Sequence, residues 1–184
     1  MRPLPTTLAC LALLAGCGSG SDPESAAREG GETKAALAGA PAPLAALHRQ
    51  ANELLGGGAG AYRARIAALR GHPVVVNKWG SWCPPCRAEF PFFQSQALKR
   101  GKEVAFLGVD GQDSDKNAAK FLRRFPTTFP HYKDPDLKVA TAMKAVAAFP
   151  STVFYDREGE IAHVKQGGYA TERKLAEDIE RYAR

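Results

Sequence analysis

The apolar positions of this chain form runs and periodic blocks that alternate between two structural types. Val74–Trp79 is a largely apolar run of strand length, which predicts a buried central strand. Residues 171–182 repeat their apolar positions at helical spacing, which predicts an amphipathic helix. By the same patterns we expect further helices over 44–55, 61–69, 84–99, 115–124 and 136–143, and further strands over 104–109, 129–132, 152–155 and 160–166.

The order of these elements predicts the fold class. Strands and helices alternate first, and two strands joined by the turn-forming sequence at 156–159 then precede the last helix. This order is typical of an α/β protein with a central mixed β-sheet that is flanked by helices on both faces.

The first residues have the organisation of an export signal. A positive start at Met1-Arg2 precedes an apolar run that ends by residue 15, too short for a membrane-spanning helix of roughly 20 residues. Cys17 follows the sequence Leu-Ala-Gly, which resembles the lipobox of bacterial lipoproteins. The resemblance implies cleavage after residue 16 and lipid attachment to Cys17. A plain secretory signal with a chance cysteine is the alternative.

Residues 18–43 are rich in Gly, Ala, Ser, Pro and Glu, a composition that buries too little apolar surface to order itself. We therefore predict a lipoprotein signal peptide over 1–16, a lipidated cysteine with a flexible tether over 17–43, and a folded domain over 44–184. Acyl chains on Cys17 would hold the domain at a bacterial cell membrane, because each buried methylene contributes about 0.8 kcal/mol.

Composition and charge add few constraints to this organisation. The 184 residues suit one domain with accessory segments, and 45% of them are apolar, which is enough to fill a core. The formal net charge of +6 comes without a block of Lys or Arg, so a nucleic-acid partner is not predicted.

Cys83 and Cys86 form a C-x-x-C motif directly after the predicted central strand. The other two cysteines, Cys10 and Cys17, lie in the N-terminal segment, so no second pair is left for a zinc site or a structural disulfide. The four histidines have no paired spacing, and we expect neither a metal nor a cofactor. A redox-active dithiol is therefore favoured over half a zinc site or a static disulfide.

The position of the motif predicts its chemistry. Cys83 stands where a helix begins, and the unpaired N–H groups and partial positive charge of a helix start favour a thiolate. Because the thiolate is the form that attacks disulfides, we expect Cys83 to form a mixed disulfide with the substrate. Cys86, one turn further along, would then attack that bond and release the reduced substrate.

The segment from Asn77 to Pro91, NKWGSWCPPCRAEFP, resembles the active-site segment of the thioredoxin superfamily and is most similar to its membrane-tethered TlpA/ResA-like branch. The sequence FPST at 149–152 resembles the cis-proline loop of that family. The resemblance covers about residues 60–184. It implies a thioredoxin fold and an enzyme of the thiol–disulfide oxidoreductase class.

The resemblance also implies roles for single residues. Members of this branch carry a functional glutamate at the position of Glu89, while Asn77 replaces the strand aspartate of many thioredoxins. A buried Glu89 would have a raised pKa and exchange a proton with Cys86, whereas an exposed helix glutamate is the alternative. The family's cis proline corresponds to Pro150, and the backbone of Phe149 would pair with an extended substrate. A trans proline that starts a strand is the alternative.

Other residues near the motif complete the prediction. Trp82 is expected to lie beside the dithiol as an exposed apolar contact for substrate, and Trp79 to pack in the core beneath it. Lys78 departs from the family pattern, which has an apolar residue there, so its ammonium group must reach solvent or find a partner. Pro91 should kink its helix. Three aspartates after the second strand are interpreted as turn and cap residues rather than metal ligands: Asp110, Asp113 and Asp115.

Export would place the domain where disulfides form readily, so it would either remove or insert them. Pro85 lacks an N–H that would stabilise the Cys83 thiolate, which favours a low reduction potential and a reductant. The resemblance implies exported proteins as substrates, cytochrome c apoproteins among them. It also implies a membrane redox partner that recharges the dithiol.

Three other functions stay open from the sequence. A disulfide-forming oxidant of exported proteins would use the same motif in the opposite direction. A thiol peroxidase of the peroxiredoxin type shares the fold, but it has a Thr-x-x-Cys nucleophile where this chain has Gly80. A binding lipoprotein with an idle dithiol is the third.

Overall fold

The computed structural model describes residues 31–184, in which helices pack on both faces of a six-stranded sheet. The elements are α1 (Ala42–Arg49), β1 (Leu54–Leu55), α2 (Gly58–Ala68), β2 (Val74–Trp79), α3 (Pro84–Arg100), β3 (Ala105–Gly111), α4 (Asp115–Arg124), β4 (His131–Asp134), α5 (Lys138–Ala142), β5 (Ser151–Tyr155), β6 (Ile161–Gln166) and α6 (Glu172–Tyr182). The predicted signal peptide, Cys17 and the first part of the predicted tether lie outside the described residues.

The strand order is β1-β4-β3-β2-β5-β6, which places β2 inside the sheet. β2 runs parallel to β3, and every residue of both strands is buried. On its other side β2 pairs antiparallel with β5, so that Val76 lies between Leu107 and Val153. The sheet is mixed because β5 is antiparallel to both of its neighbours, whereas β1, β4, β3 and β2 are parallel.

Successive residues of β2 enter the cores on opposite faces of the sheet. Val74 and Val76 contact the core that α1, α2 and α5 cover, whereas Val75 contacts the core that α3 and α6 cover. A third cluster, around Trp79 and Phe90, joins the first half of α3 to α4. The predicted fold class, an α/β protein with helices on both faces of a mixed sheet, is confirmed.

The structure corrects the prediction for the first helix. A helix was expected over 44–55, but α1 ends at Arg49 and Leu54–Leu55 form a strand. The reason is tertiary, because this short strand pairs in parallel with β4 and becomes the edge of the sheet. Asn52, with a φ of 64°, provides the backbone turn between the two elements.

The other predicted elements lie within three residues of their observed bounds. Residues 31–37 are helical as well, which the composition of the predicted tether did not indicate, and Leu37 packs against Gly101 at the end of α3. Pro91 lies inside α3, which continues through it. Among residues 31–184, no helix combines the length and the apolar character needed to cross a membrane.

Candidate active site

The predicted redox pair lies where β2 leads into α3. Cys83 is the N-cap of α3, and its sulfur accepts the backbone N–H of Cys86 at 3.3 Å. The two cysteines are joined by a disulfide, with their Cα atoms 5.3 Å apart. Cys86 is fully enclosed and Cys83 retains 2% of its surface, so Cys83 is the cysteine nearer to an incoming substrate.

The loop between β2 and α3 is held by the loop that follows β3. The N–H of Ser81 donates to Oδ2 of Asp113 at 2.7 Å, and the indole N–H of Trp82 donates to the carbonyl of Gln112 at 3.0 Å. Gly80 leaves room for this arrangement, because a Cβ there would lie 2.6 Å from Nε1 of Trp82. These contacts fix the position of the residue that precedes Cys83.

The cis-proline loop meets the disulfide loop through an aromatic contact. The Phe149–Pro150 peptide bond is cis, as predicted. The ring of Phe149 packs against Trp82 with their centroids 4.9 Å apart, and Trp82 remains half exposed. Pro150 and Pro85 both approach Gly168, which places the cis proline beside the first turn of α3.

Lys78 finds its partners in the same loop. Its Nζ donates to the carbonyl of Val146 at 3.2 Å and lies 4.0 Å from the centre of the Phe149 ring. Burial lowers the pKa of Lys78 to about 8, and the carboxylate of Asp134 partly opposes this. Lys78 therefore ties β2 to the loop that carries Phe149.

Glu89 is fully buried in α3, three residues after Cys86 and on the same face of the helix. Its Oε2 accepts the backbone N–H of Tyr169 at 2.9 Å. Burial raises the pKa of Glu89 to about 7, and this N–H, the charge of Lys165 and the amide of Asn77 lower it by smaller amounts. A carboxyl group with this pKa can give or take a proton near neutral pH.

Glu89 lies among side chains that leave its second oxygen free. Oε1 of Glu89, both polar atoms of the Asn77 side chain and Oγ1 of Thr152 are buried without hydrogen-bond partners of ordinary geometry. Asn77 and Thr152 face each other across β2 and β5. Oε1 is thus the oxygen of Glu89 that accepts no hydrogen bond from residues 31–184.

Lys165 and the loop at 167–169 place the N–H that Glu89 accepts. Nζ of Lys165 donates to the carbonyls of Gly167 at 2.8 Å and Gly168 at 3.0 Å, and it lies 4.5 Å from the centre of the Tyr169 ring. Sequence reasoning found neither Lys165 nor Tyr169. No motif marks them, and the contact to Glu89 joins residues 80 positions apart.

Trp79 packs in the core beneath the disulfide loop, as predicted. Its Nε1 donates to Nδ1 of His131 at 3.1 Å, and Nε2 of His131 lies 2.8 Å from Oγ1 of Thr127. Burial lowers the pKa of His131 to about 3, so its ring is neutral. Since Nδ1 accepts, Nε2 carries the proton and donates it to Thr127, which leaves His131 without a free ring nitrogen for catalysis.

The three aspartates that follow the second predicted strand have different environments. Asp113 accepts the N–H of Ser114, and Asp115 opens α4 and pairs with Lys133 at 2.9 Å. Asp110 does not lie in a turn as expected, because β3 continues to residue 111 and buries it. Burial and the neighbouring Asp113 raise the pKa of Asp110 to about 8. In the described part of the chain, no three His, Cys, Asp or Glu side chains are grouped for a metal ion.

A mixed sheet of this topology, a C-x-x-C disulfide that caps a helix and a cis proline beside it define a domain of the thioredoxin superfamily. The chain belongs to the AhpC/TSA family, whose sequence profile matches residues 39–164.

Curated relatives support this assignment. The thiol-disulfide oxidoreductase ResA of Geobacillus kaustophilus is 32% identical over 119 residues, which cover 64% of this chain and 65% of that protein. ResA of Bacillus subtilis is 30% identical over 106 residues, which cover 57% of this chain and 59% of that protein. The matched segment is therefore less than two thirds of the length of these relatives.

Solved structures share the fold. MTB dsbF, in mixed oxidized and reduced forms, has a TM-score of 0.57 and 29% identity, covering 62% of this chain and 84% of that one. A DsbF homologue from Corynebacterium diphtheriae has a TM-score of 0.54 and 27% identity, covering 63% of this chain and 75% of that one. The predicted thioredoxin fold is confirmed.

Proposed function

We propose that the protein is an extracytoplasmic thiol–disulfide oxidoreductase that reduces disulfides of exported proteins with Cys83 and Cys86. The observation that carries the proposal is the geometry around the disulfide. Cys83 caps α3, the cis Pro150 lies beside the first turn of that helix, and Glu89, with a pKa near 7, shares a helix face with Cys86. The relatives that are named thiol-disulfide oxidoreductases support it.

The reaction would proceed in two exchanges. In the reduced protein the Cys83 thiolate attacks a substrate disulfide, forms a mixed disulfide and releases one substrate thiolate. Cys86 then gives its proton to Glu89 and attacks the sulfur of Cys83, which releases the second substrate thiolate. The substrate gains two electrons and, from solvent and Glu89, two protons. The protein is left with the Cys83–Cys86 disulfide that the structure contains.

Substrate would bind across two of the loops described above. Trp82 and Phe149 offer apolar surface beside the disulfide, and the backbone of Phe149 would pair with an extended substrate segment. Cytochrome c apoproteins, with their pairs of haem-binding cysteines, are one substrate class of this type. A membrane redox partner would restore the two thiols by the same exchange run in the opposite direction.

The start of α3 favours the reducing direction. Among residues 31–184, the sulfur of Cys83 accepts the N–H of Cys86 alone, because Pro85 has no N–H to donate. Fewer donors stabilise the thiolate less, which lowers the reduction potential. We expect a potential nearer to the value of thioredoxin, about −270 mV, than to that of DsbA, about −120 mV. A value near the latter would instead assign the disulfide-forming activity.

The environment of Gly80 disfavours the thiol peroxidase that the sequence left open. Gly80 stands where the threonine of a Thr-x-x-Cys nucleophile would be. Its Cα faces Trp82, and a Cβ there would lie 2.6 Å from the indole nitrogen and 3.2 Å from the carbonyl of Gly111. A threonine at this position would displace the loop that positions Cys83.

Catalysis of insulin reduction by dithiothreitol tests the proposed activity. We expect the wild-type protein to accelerate the precipitation of insulin chains, and Cys83→Ser to abolish the acceleration because the attacking thiolate is lost. Cys17→Ser is the matched control, since it removes a cysteine but keeps Cys83 and Cys86. Acceleration by the Cys83→Ser variant at the wild-type rate would contradict the proposal. A wild-type protein that does not accelerate the reaction would contradict it as well, because its dithiol would then be idle.

A further inference from the structure

A basic pocket adjoins the redox pair between α3 and α4. Its volume is about 220 Å³, and its lining consists of Ser81, Arg87, Asn117, Lys120, Phe121 and Arg124. Ser81 is two residues before Cys83, and Arg87 directly follows Cys86. The pocket is therefore flanked by the two segments that carry the disulfide.

No acidic side chain of residues 31–184 forms an ion pair with the cations of this pocket. Three of its six lining residues are cations, and none is acidic. Arg87, Lys120 and Arg124 are all exposed, and among residues 31–184 they take part in no ion pair. The carboxylate of Asp113, on the adjacent loop, is occupied by two backbone N–H groups.

The cations stand on rigid elements. Asn117, Lys120 and Arg124 are spaced by three and four residues, so they share one face of α4. The neighbouring face of this helix is fixed in the core beneath the disulfide loop by Ala118 and Leu122, and Phe121, which also lines the pocket, packs in the same core. Arg87 extends from the first turns of α3, whose N-terminus adds a partial positive charge.

We propose that this pocket binds carboxylate side chains of the substrate, so that the protein prefers disulfides flanked by acidic residues. The inference rests on the proposed function, because it names the substrate class of the same redox site. An Asp or Glu near the substrate cysteine enters between Arg87 and α4 while the cysteine reaches Cys83. A guanidinium group matches a carboxylate with two parallel hydrogen bonds, and the field of three cations attracts an acidic segment before contact.

Three peptides that differ in the charge of the residues beside their cysteines test the preference. Each has the same length and one intrachain disulfide, and the residues flanking both cysteines are Asp, Asn or Lys. Each rate is divided by the rate of reduction by dithiothreitol alone, which removes the effect of flanking charge on the peptide's own thiols. We expect wild type to reduce the Asp peptide about fivefold faster than the Asn peptide at low salt. The ratio should fall towards one at 0.5 M NaCl, because salt screens exposed charges.

A matched pair of double variants separates the pocket from general surface charge. The first variant is Lys120→Gln/Arg124→Gln, and the second is Lys116→Gln/Arg123→Gln. Both remove the same charge from α4, but only the residues of the first line the pocket. The first variant should lower the Asp-to-Asn ratio to below about twofold, and the second should keep it above about threefold. Arg87→Gln should lower the ratio without changing α4.

The outcomes separate this inference from the proposed function. Equal normalised rates for the three peptides would overturn the acidic preference and leave the oxidoreductase activity standing. Reduction of none of the peptides would contradict both. The protein could instead reduce the peptides at equal rates and bind phosphatidylglycerol vesicles, with the binding lost in Lys120→Gln/Arg124→Gln. This result would overturn the inference and assign the pocket to an anionic membrane surface. An equal loss of preference in both double variants would also overturn it, since the pocket would then have no specific part.

Discussion

Glu89 makes the stability of the folded protein depend on pH. Its pKa is about 7 in the fold, above its ordinary value of 4.5, so the folded state keeps a proton that the unfolded state releases. The contribution of Glu89 to the free energy of unfolding is therefore largest below pH 4.5 and is lost as pH rises through 7. The side chain of the Glu89→Gln variant cannot ionise. From pH 5 to pH 8 we therefore expect the free energy of unfolding to fall less in the variant than in wild type, by up to about 3 kcal/mol.

Urea denaturation of the two oxidised proteins at both pH values measures this difference. Asp110, whose pKa is raised to about 8, changes the stability in the same direction, but it is present in both proteins and cancels. The amide oxygen of Gln can still accept the N–H of Tyr169, so the loop at 167–169 is retained. Identical pH dependence of wild type and variant would show that the residue is not the titrating group.

Lys78 holds Phe149 in position, and a single substitution can test this role. Lys78→Met keeps the apolar stem but removes the hydrogen bond to Val146 and the cation beside the Phe149 ring. Because Phe149 packs against the half-exposed Trp82, we expect the variant to shift Trp82 fluorescence to longer wavelength and to raise the KM for a peptide disulfide more than it changes kcat. Lys102→Met, at an exposed site, is the control, and an unaltered spectrum and KM in Lys78→Met would refute the positioning role.

At the scale of elements, the centre of the sheet tolerates no added side chain at Gly108. A Cβ at this position in β3 would overlap the ring of His131, which the hydrogen bonds of Trp79 and Thr127 hold on either side. We expect Gly108→Ala to destabilise the fold by about 3 kcal/mol or more, since neither the ring nor the central strand can shift.

Gly60→Ala supplies the matched control for this substitution. It adds the same methyl group to α2, where nothing lies within 4 Å of the new Cβ, and alanine is the better helix former by about 1 kcal/mol. Thermal unfolding should therefore give a lower Tm for the first variant and an unchanged or higher Tm for the second. A Gly108→Ala protein with the wild-type Tm would show that β3 and His131 can move apart.

The sequence predicted those helices and strands whose signal lies within their own residues. Val74–Trp79 was placed at its observed bounds because its run of apolar residues has the length of a strand, and the helix start at Cys83 was placed because the motif marks it. Leu54–Leu55 was assigned to a helix because its pairing with β4 depends on residues far along the chain. The buried contacts of Glu89 with Tyr169 and of Trp79 with His131 were missed for the same reason, since each joins elements that only the fold brings together.

At the scale of the whole molecule, the candidate site is assembled from four loops. The segments at 80–83, 112–113, 146–150 and 167–169 converge around the first turns of α3, and each is tied to a neighbour by a named side chain. The sheet causes this convergence, because β2, β5 and β6 are adjacent strands. The loops that follow β2 and β6 and the loop that precedes β5 therefore leave the sheet at the same end of the strands. The motif alone specified one of the four loops, and the family resemblance added the cis-proline loop.

The lipid anchor proposed at Cys17 would decide where this assembled site operates. If cleavage after residue 16 exposes Cys17 for acylation, the mature N-terminal peptide will carry the added mass of acyl chains, and the protein will fractionate with membranes. Cys17→Ser should move the protein to the soluble fraction while its insulin reduction stays at the wild-type level, because the variant keeps Cys83 and Cys86. Mass spectrometry of the mature N-terminus together with cell fractionation measures both results. A free, unmodified Cys17 thiol in a membrane-bound protein would contradict the anchor, and retention of Cys17→Ser at the membrane would show that another segment attaches it.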